Sequence, residues 1–95
     1  MKVIVIATRN QEASAEEFSP YLGPEADHVI GMIKEDIVRE VYSRSDGQGA
    51  VVVLECKDID HAKKIIGEFP LAKAGLLTAE FYGANPYRGV VQHAK

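Results

Sequence analysis

At 95 residues the chain is long enough for one domain and too short for two independent cores. Its 46% hydrophobic and 26% charged residues are the proportions of an ordinary folded domain. The net charge is −3 and the Lys and Arg residues are scattered, so the basic face that nucleic acid requires is not expected. No apolar run approaches the roughly 20 residues of a membrane span, which removes the membrane as an expected partner.

Met1 to Ala7 has the basic and apolar residues of a secretory leader, but the apolar run stops at Thr8-Arg9. That is shorter than the roughly 7–15 apolar residues of a signal, and a first strand explains it better. Cys56 is the only cysteine, so neither an internal disulfide nor a thiolate metal cluster is expected, and a reducing, cytoplasmic setting follows. His28, His61 and His93 do not fall at the i, i+4 spacing of a helical metal site. No metal and no cofactor are expected.

In chain order, Val3 to Ala7 is a β-branched run consistent with a central strand buried on both faces. Ser14-Ala15-Glu16-Glu17 reads as a capping box, with Glu17 reaching back. Pro20 sits too far inside for comfort, and Gly23-Pro24 offers a second start. A broken helical segment from Ser14 to Lys34 is expected, firm after Pro24, with Ala26, Val29, Ile30 and Ile33 as its buried stripe. Ile37 to Ser45 and Ala50 to Lys57 read as strands around the turn signal Asp46-Gly47-Gln48-Gly49. Asp58 caps a helix whose stripe is Ile59, Ala62, Ile65, Ile66 and Phe69, ending at Pro70. Gly75 precedes a last strand, Leu76 to Gly83, and the segment Ala84 to Lys95 reads as an arm or a poorly ordered tail.

This order, β-α-β-β-α-β, predicts an α+β, ferredoxin-like fold: two right-handed crossovers place both helices on one face of a four-stranded antiparallel sheet. The other face is then bare, although the first strand is apolar on both sides, Val3, Val5 and Ala7 against Ile4 and Ile6, and so is Ala50 to Leu54. An apolar face of that size marks an association surface, so a homodimer through the sheet face is expected.

With Gly47-Gln48 as a two-residue loop, Arg44 pairs with Val51, Tyr42 with Val53 and Glu40 with Glu55 on one face. Thr78, Glu80 and Tyr82 join them. Glu55, Glu80 and Tyr42 are therefore candidates for proton transfer, with Arg44 to orient an anion; an inter-subunit salt-bridge network explains the same group equally well. Arg39 falls on the helix side, where it needs a carboxylate partner or a bound anion, unless it snorkels to solvent from the strand end. His28, beside Asp27, is a further candidate base, although the helical wheel places it away from the expected stripe, on the solvated side. His61 faces out of its helix on the same argument.

The Val3–Thr8 strand, the Ile37–Arg44 strand with its Gly-containing turn, Ala50–Glu55, Phe69-Pro70-Leu71 and the final Ala79-Glu80-Phe81 together resemble the dimeric α+β barrel superfamily, and within it the muconolactone isomerase-like proteins. The resemblance covers residues 1–87 as one domain and leaves 88–95 as a C-terminal tail. It implies subunits paired sheet to sheet, often assembled into rings, and cofactor-free chemistry on a small cyclic carboxylate or lactone in a pocket between sheet and helices. No catalytic residue carries over position by position, and fold analogy alone is a weak functional warrant.

Three functions are therefore expected to compete. One is an isomerase-like enzyme moving a proton on a small anionic lactone or enol-type substrate, with Arg39 or Arg44 as anchor and Glu80, Glu55 or Tyr42 as proton carrier. Another is a non-catalytic homo-oligomer that binds a small ligand or a protein. The third is a monooxygenase-type member of the superfamily, for which a haem would need a histidine pointing clearly inward.

Overall fold

The computed structural model describes residues 1–93 of the chain. Its elements are β1 (Lys2–Arg9), α1 (Ala15–Lys34), β2 (Val38–Ser43), β3 (Gly49–Glu55), α2 (Ile59–Gly67), α3 (Pro70–Lys73), β4 (Leu77–Ala84) and α4 (Arg88–His93). The strands form one antiparallel sheet in the order β2-β3-β1-β4, the ferredoxin-like arrangement. Val3, Val5, Val38, Val52 and Leu54 turn inward and meet Ala62, Ile66 and Phe69 in the main core. The last three all lie on the stripe read from the sequence, although α2 ends at Gly67 and Phe69 is extended.

The long helix departs from expectation twice. It runs unbroken from Ala15 to Lys34 with Pro20 and Pro24 inside it. Each proline removes one backbone hydrogen bond at a cost of about 3 kcal/mol. Both prolines are exposed, as is Glu16, so the carbonyls left without amide donors can turn to water. Capping by Ser14, whose hydroxyl accepts from the Glu17 amide at 3.3 Å, and burial of Phe18 hold the first turns.

The second departure is the buried face. Ile30 and Ile33 are exposed at 49% and 45%. Phe18, Val29 and Met32 pack inward instead, with Glu25 and His28 half-buried among them.

The hairpin turn is longer than expected. Arg44 donates its amide to Gly49 O, Gly47 to Arg44 O, and Gln48 to the Asp46 carboxylate, which makes a four-residue loop from Ser45 to Gln48. Tyr42 therefore faces Val51 rather than Val53, and Glu40 faces Val53 rather than Glu55. The register slips by two residues, and a slip of two leaves the paired residues from Glu40 to Ser43 on their expected faces.

A bulge then intervenes between Val38 and Glu40. It returns Val38 to the core, opposite Leu54, and throws Arg39 outward. The helix-side position expected for Arg39 is corrected accordingly: the residue is exposed, and its Nε donates to Asp36 O at 2.7 Å.

After α2 the chain turns at Phe69 into the single helical turn of α3, where the sequence reading ends its helix at Pro70 and expects no further one. Leu76 N donates to Leu71 O across Gly75, whose φ of 75° supplies the left-handed residue this closing motif needs. Beyond β4, residues 88–93 of the tail form α4, which buries no residue. Residues 94 and 95 of the tail lie outside the described residues.

Candidate functional site

Two surfaces could carry function, one on each side of the sheet. On the bare side the register aligns two central rows, Glu40–Val53–Ile4–Tyr82 and Tyr42–Val51–Ile6–Glu80. The middle is aliphatic and the ends are tyrosine and carboxylate. Tyr42 Oη donates to Glu40 Oε1 at 2.7 Å, and Tyr82 Oη donates to Glu80 Oε2 at 2.8 Å. Each bond favours the neutral phenol beside a carboxylate, so both hydroxyls are pushed above their ordinary value. Glu55 is held by the N-terminal ammonium at 2.8 Å, which draws its carboxyl below the usual range. Tyr42, Glu55 and Glu80, the expected proton carriers, are thus all exposed on this open surface, outside any enclosed pocket.

The enclosed space lies on the other side. Between the sheet and α1 is a cavity of about 590 Å³, a volume typical of small-ligand sites. Phe18, Leu22, Val29, Val52, Phe69 and Leu71 make its walls apolar. Its polar lining comes from Arg9, Glu25, Ser43 and Arg44.

Each charged group arrives for a local reason. Arg9 follows Val3, Val5 and Ala7 on the inward alternation of β1 and stands at the strand's open end. Its guanidinium lies over the Phe18 ring, 4.4 Å from the centroid, and no carboxylate is within ion-pair distance among the described residues. Arg44, just past the end of β2, donates to Thr8 Oγ1 at 2.8 Å and to Asp46 Oδ2 at 2.6 Å. That leaves it fixed in place and partly neutralised.

Glu25 comes from the inward face of α1, seven residues after Phe18 and four before Val29. Its Oε1 accepts the Leu71 amide at 3.0 Å, one of the amides that the start of α3 leaves unpaired. Burial pushes the Glu25 carboxyl above its ordinary value, and the Leu71 amide and His28 only partly oppose it. Because this acid shares an apolar cavity with two guanidinium groups, the cavity offers both cations to hold an anion and a carboxyl to move a proton.

Arg44, expected on the bare face with Tyr42 and Glu80, instead lines this helix-side cavity, because it lies past the end of β2 and its guanidinium is held by Thr8 and Asp46. Arg39 is not among the lining residues. Sequence reasoning missed Arg9 and Glu25. The signal for Arg9 was strand alternation continued two residues past Ala7. For Glu25 it was the stripe Phe18, Leu22, Glu25, Val29 and Met32, which carries a lone acid. His28, expected on the solvated side, instead sets its ring against Phe69. His61 is half-buried, and its Nδ1 accepts the Lys57 amide at 3.0 Å. No helix is long and apolar enough to cross a membrane, and no group of three or more potential metal ligands occurs among the described residues.

No protein-family model matches the chain, and no curated protein sequence matches it significantly. Solved structures do. The chain superposes on 5-chloro-2-hydroxyhydroquinone dehydrochlorinase from Burkholderia phenoliruptrix AC1100, in complex with 2,5-dihydroxybenzoquinone, with a TM-score of 0.73 and 11% identity over 94% of this chain and 98% of that one. It superposes on muconolactone isomerase with a TM-score of 0.75 and 12% identity, over 93% and 92% of the two chains. At these identities the likeness is one of fold, and in fold this chain resembles the muconolactone isomerase-like proteins of the dimeric α+β barrel superfamily.

Proposed function

We propose that the chain is a cofactor-free enzyme that shifts a proton on a small, cyclic, anionic substrate of lactone or enol type, bound between α1 and the sheet. The observation that carries this reading is the half-buried Glu25 carboxyl, raised by burial and lining the same apolar cavity as Arg9 and Arg44. Arg9, unpaired and stacked on Phe18, anchors the substrate's anionic group, and Arg44 fixes the same end of the cavity. Glu25 collects a proton from the carbon acid and returns it at a neighbouring atom. The names of the two similar structures, a lactone isomerase and a dehydrochlorinase of a hydroxylated ring, agree with a compact ring substrate, although fold alone is a weak guide to chemistry.

The bare sheet face takes a different role in this reading. It is the homodimer seam, with Ile4, Ile6, Val51 and Val53 at its centre and Tyr42, Tyr82, Glu40 and Glu80 at its margin. Glu55, Glu80 and Tyr42 then serve assembly rather than chemistry.

The test uses muconolactone and 2,5-dihydroxybenzoquinone as probes, with binding read by calorimetry and proton exchange on muconolactone read by NMR in D2O. Arg9→Gln is expected to weaken binding. Glu25→Gln is expected to bind but to lose exchange by about 10²–10⁴-fold, the range for a general acid–base. Full exchange in Glu25→Gln overturns the mechanism. Binding without exchange in the wild type favours a ligand-binding protein.

A further inference from the structure

The chemistry assigned to Glu25 leaves one buried polar atom unused. His28 stands three residues after Glu25 on α1 and therefore on the same helix face, with Cβ atoms about 5–6 Å apart. Its ring meets Phe69 edge-on, with centroids 4.9 Å apart and planes at 68°. Its Nε2 is enclosed and has no hydrogen-bond partner among the described residues. Unpaired buried nitrogens are rare enough to need a reason.

The position of the ring suggests one. Phe69 and Glu25 line the main cavity, whereas His28 lines a second hollow of about 520 Å³ together with Tyr21, Glu68, Pro70 and Lys73. The imidazole therefore lies between the wall that holds Glu25 and a separate opening bounded by α1 and α3.

We propose that His28 is a positioning residue and proton station behind Glu25, exchanging the proton that Glu25 collects in the main cavity with the outer hollow. This rests on Glu25 being the proton carrier. The O–H bond of the Glu25 acid breaks and an N–H bond forms on the imidazole, which leaves a carboxylate and an imidazolium. The imidazolium gives a proton from its other nitrogen to water at the outer hollow and returns to neutral, and the same steps in reverse carry a solvent proton back to Glu25, which delivers it to the neighbouring atom of the substrate. Imidazole suits this task because one nitrogen accepts while the other donates.

The charged groups around the pair are Asp27 beside His28 on α1, Glu68 and Lys73 at the outer hollow, and Arg9 and Arg44 across the main cavity. Glu68 and Lys73 pair with each other at 3.1 Å, and none of the five hydrogen-bonds the imidazole.

The experiment follows muconolactone in D2O by NMR with the wild type, His28→Phe and His28→Gln, with amide spectra confirming that each is folded, and compares deuterium uptake into the substrate per turnover. Phe preserves an aromatic ring against Phe69, and Gln preserves a polar side chain. Deuterium uptake is expected to fall several-fold in both variants, because Glu25 then returns the substrate's own proton more often than a solvent proton; a merely structural histidine would leave the uptake unmoved. Unchanged uptake in both folded variants overturns the proposal. Failure of the underlying reading appears separately, as retained proton exchange on muconolactone in Glu25→Gln.

Discussion

Glu25 binds its proton more tightly in the folded chain than in the unfolded one, because folding takes it partly out of water. Its contribution to stability is therefore fully present below the ordinary carboxylate value of 4.5 and is lost as pH rises through the higher folded value. At pH 7 folding therefore opposes ionisation of this side chain, a liability that glutamine, which still accepts the Leu71 amide, does not carry. Thermal melts should show Glu25→Gln slightly more stable than the wild type at pH 7, with the gap closing as pH falls toward 4.5. The difference is small because the carboxyl retains some access to water. A stability gain accompanied by loss of turnover is the pattern expected where a site holds a group for chemistry rather than for packing.

At the scale of elements, the hairpin between β2 and β3 depends on Gly49. Its φ of 154° lies where side chains rarely go, and a Cβ there would collide with the Ala7 carbonyl of the neighbouring strand. Gly49→Ala should therefore cost about 2 kcal/mol or more in chemical denaturation, through backbone strain together with displacement of β1. The elements themselves were legible because strand alternation, the two capping residues Ser14 and Asp58, and the stripe of α2 all point to one answer. The site was less so, for two physical reasons. The bulge at Arg39 inserts one unpaired residue, which strand alternation cannot anticipate. In α1 two apolar stripes overlap, and the one rich in isoleucine faces outward while the one interrupted by Glu25 and His28 faces the sheet. A charge on a buried stripe looks like an error in a sequence until a cavity is seen beside it.

At the scale of the whole molecule, the proposed function assigns the two faces of the sheet different tasks. The bare face exposes an aliphatic centre that a second copy of the chain can cover, and stable dimers of this kind bury about 1,200–2,000 Å² in total. Replacing Ile6, at the middle of that face, by Glu should abolish the proposed homodimer in sedimentation measurements while leaving the helix-side cavity intact. Unchanged sedimentation would place the association elsewhere. Because the seam and the cavity lie on opposite sides of the same four strands, a variant that separates the subunits should still bind the probes used for Glu25.

The two prolines of α1 bear on how anything reaches that cavity. Between Ala15 and Pro24 only Phe18 is buried, and the Arg9 guanidinium lies over its ring. Two amide donors are missing from this stretch, so its cooperative hold on the rest of the helix is weak. The roof over Arg9 is thus hinged by composition: it can lift by releasing one phenylalanine while the half of the helix that carries Glu25 stays seated. A substrate need not wait for the domain to unfold, and a ligand that replaces Phe18 in stacking against Arg9 would itself prop the roof open.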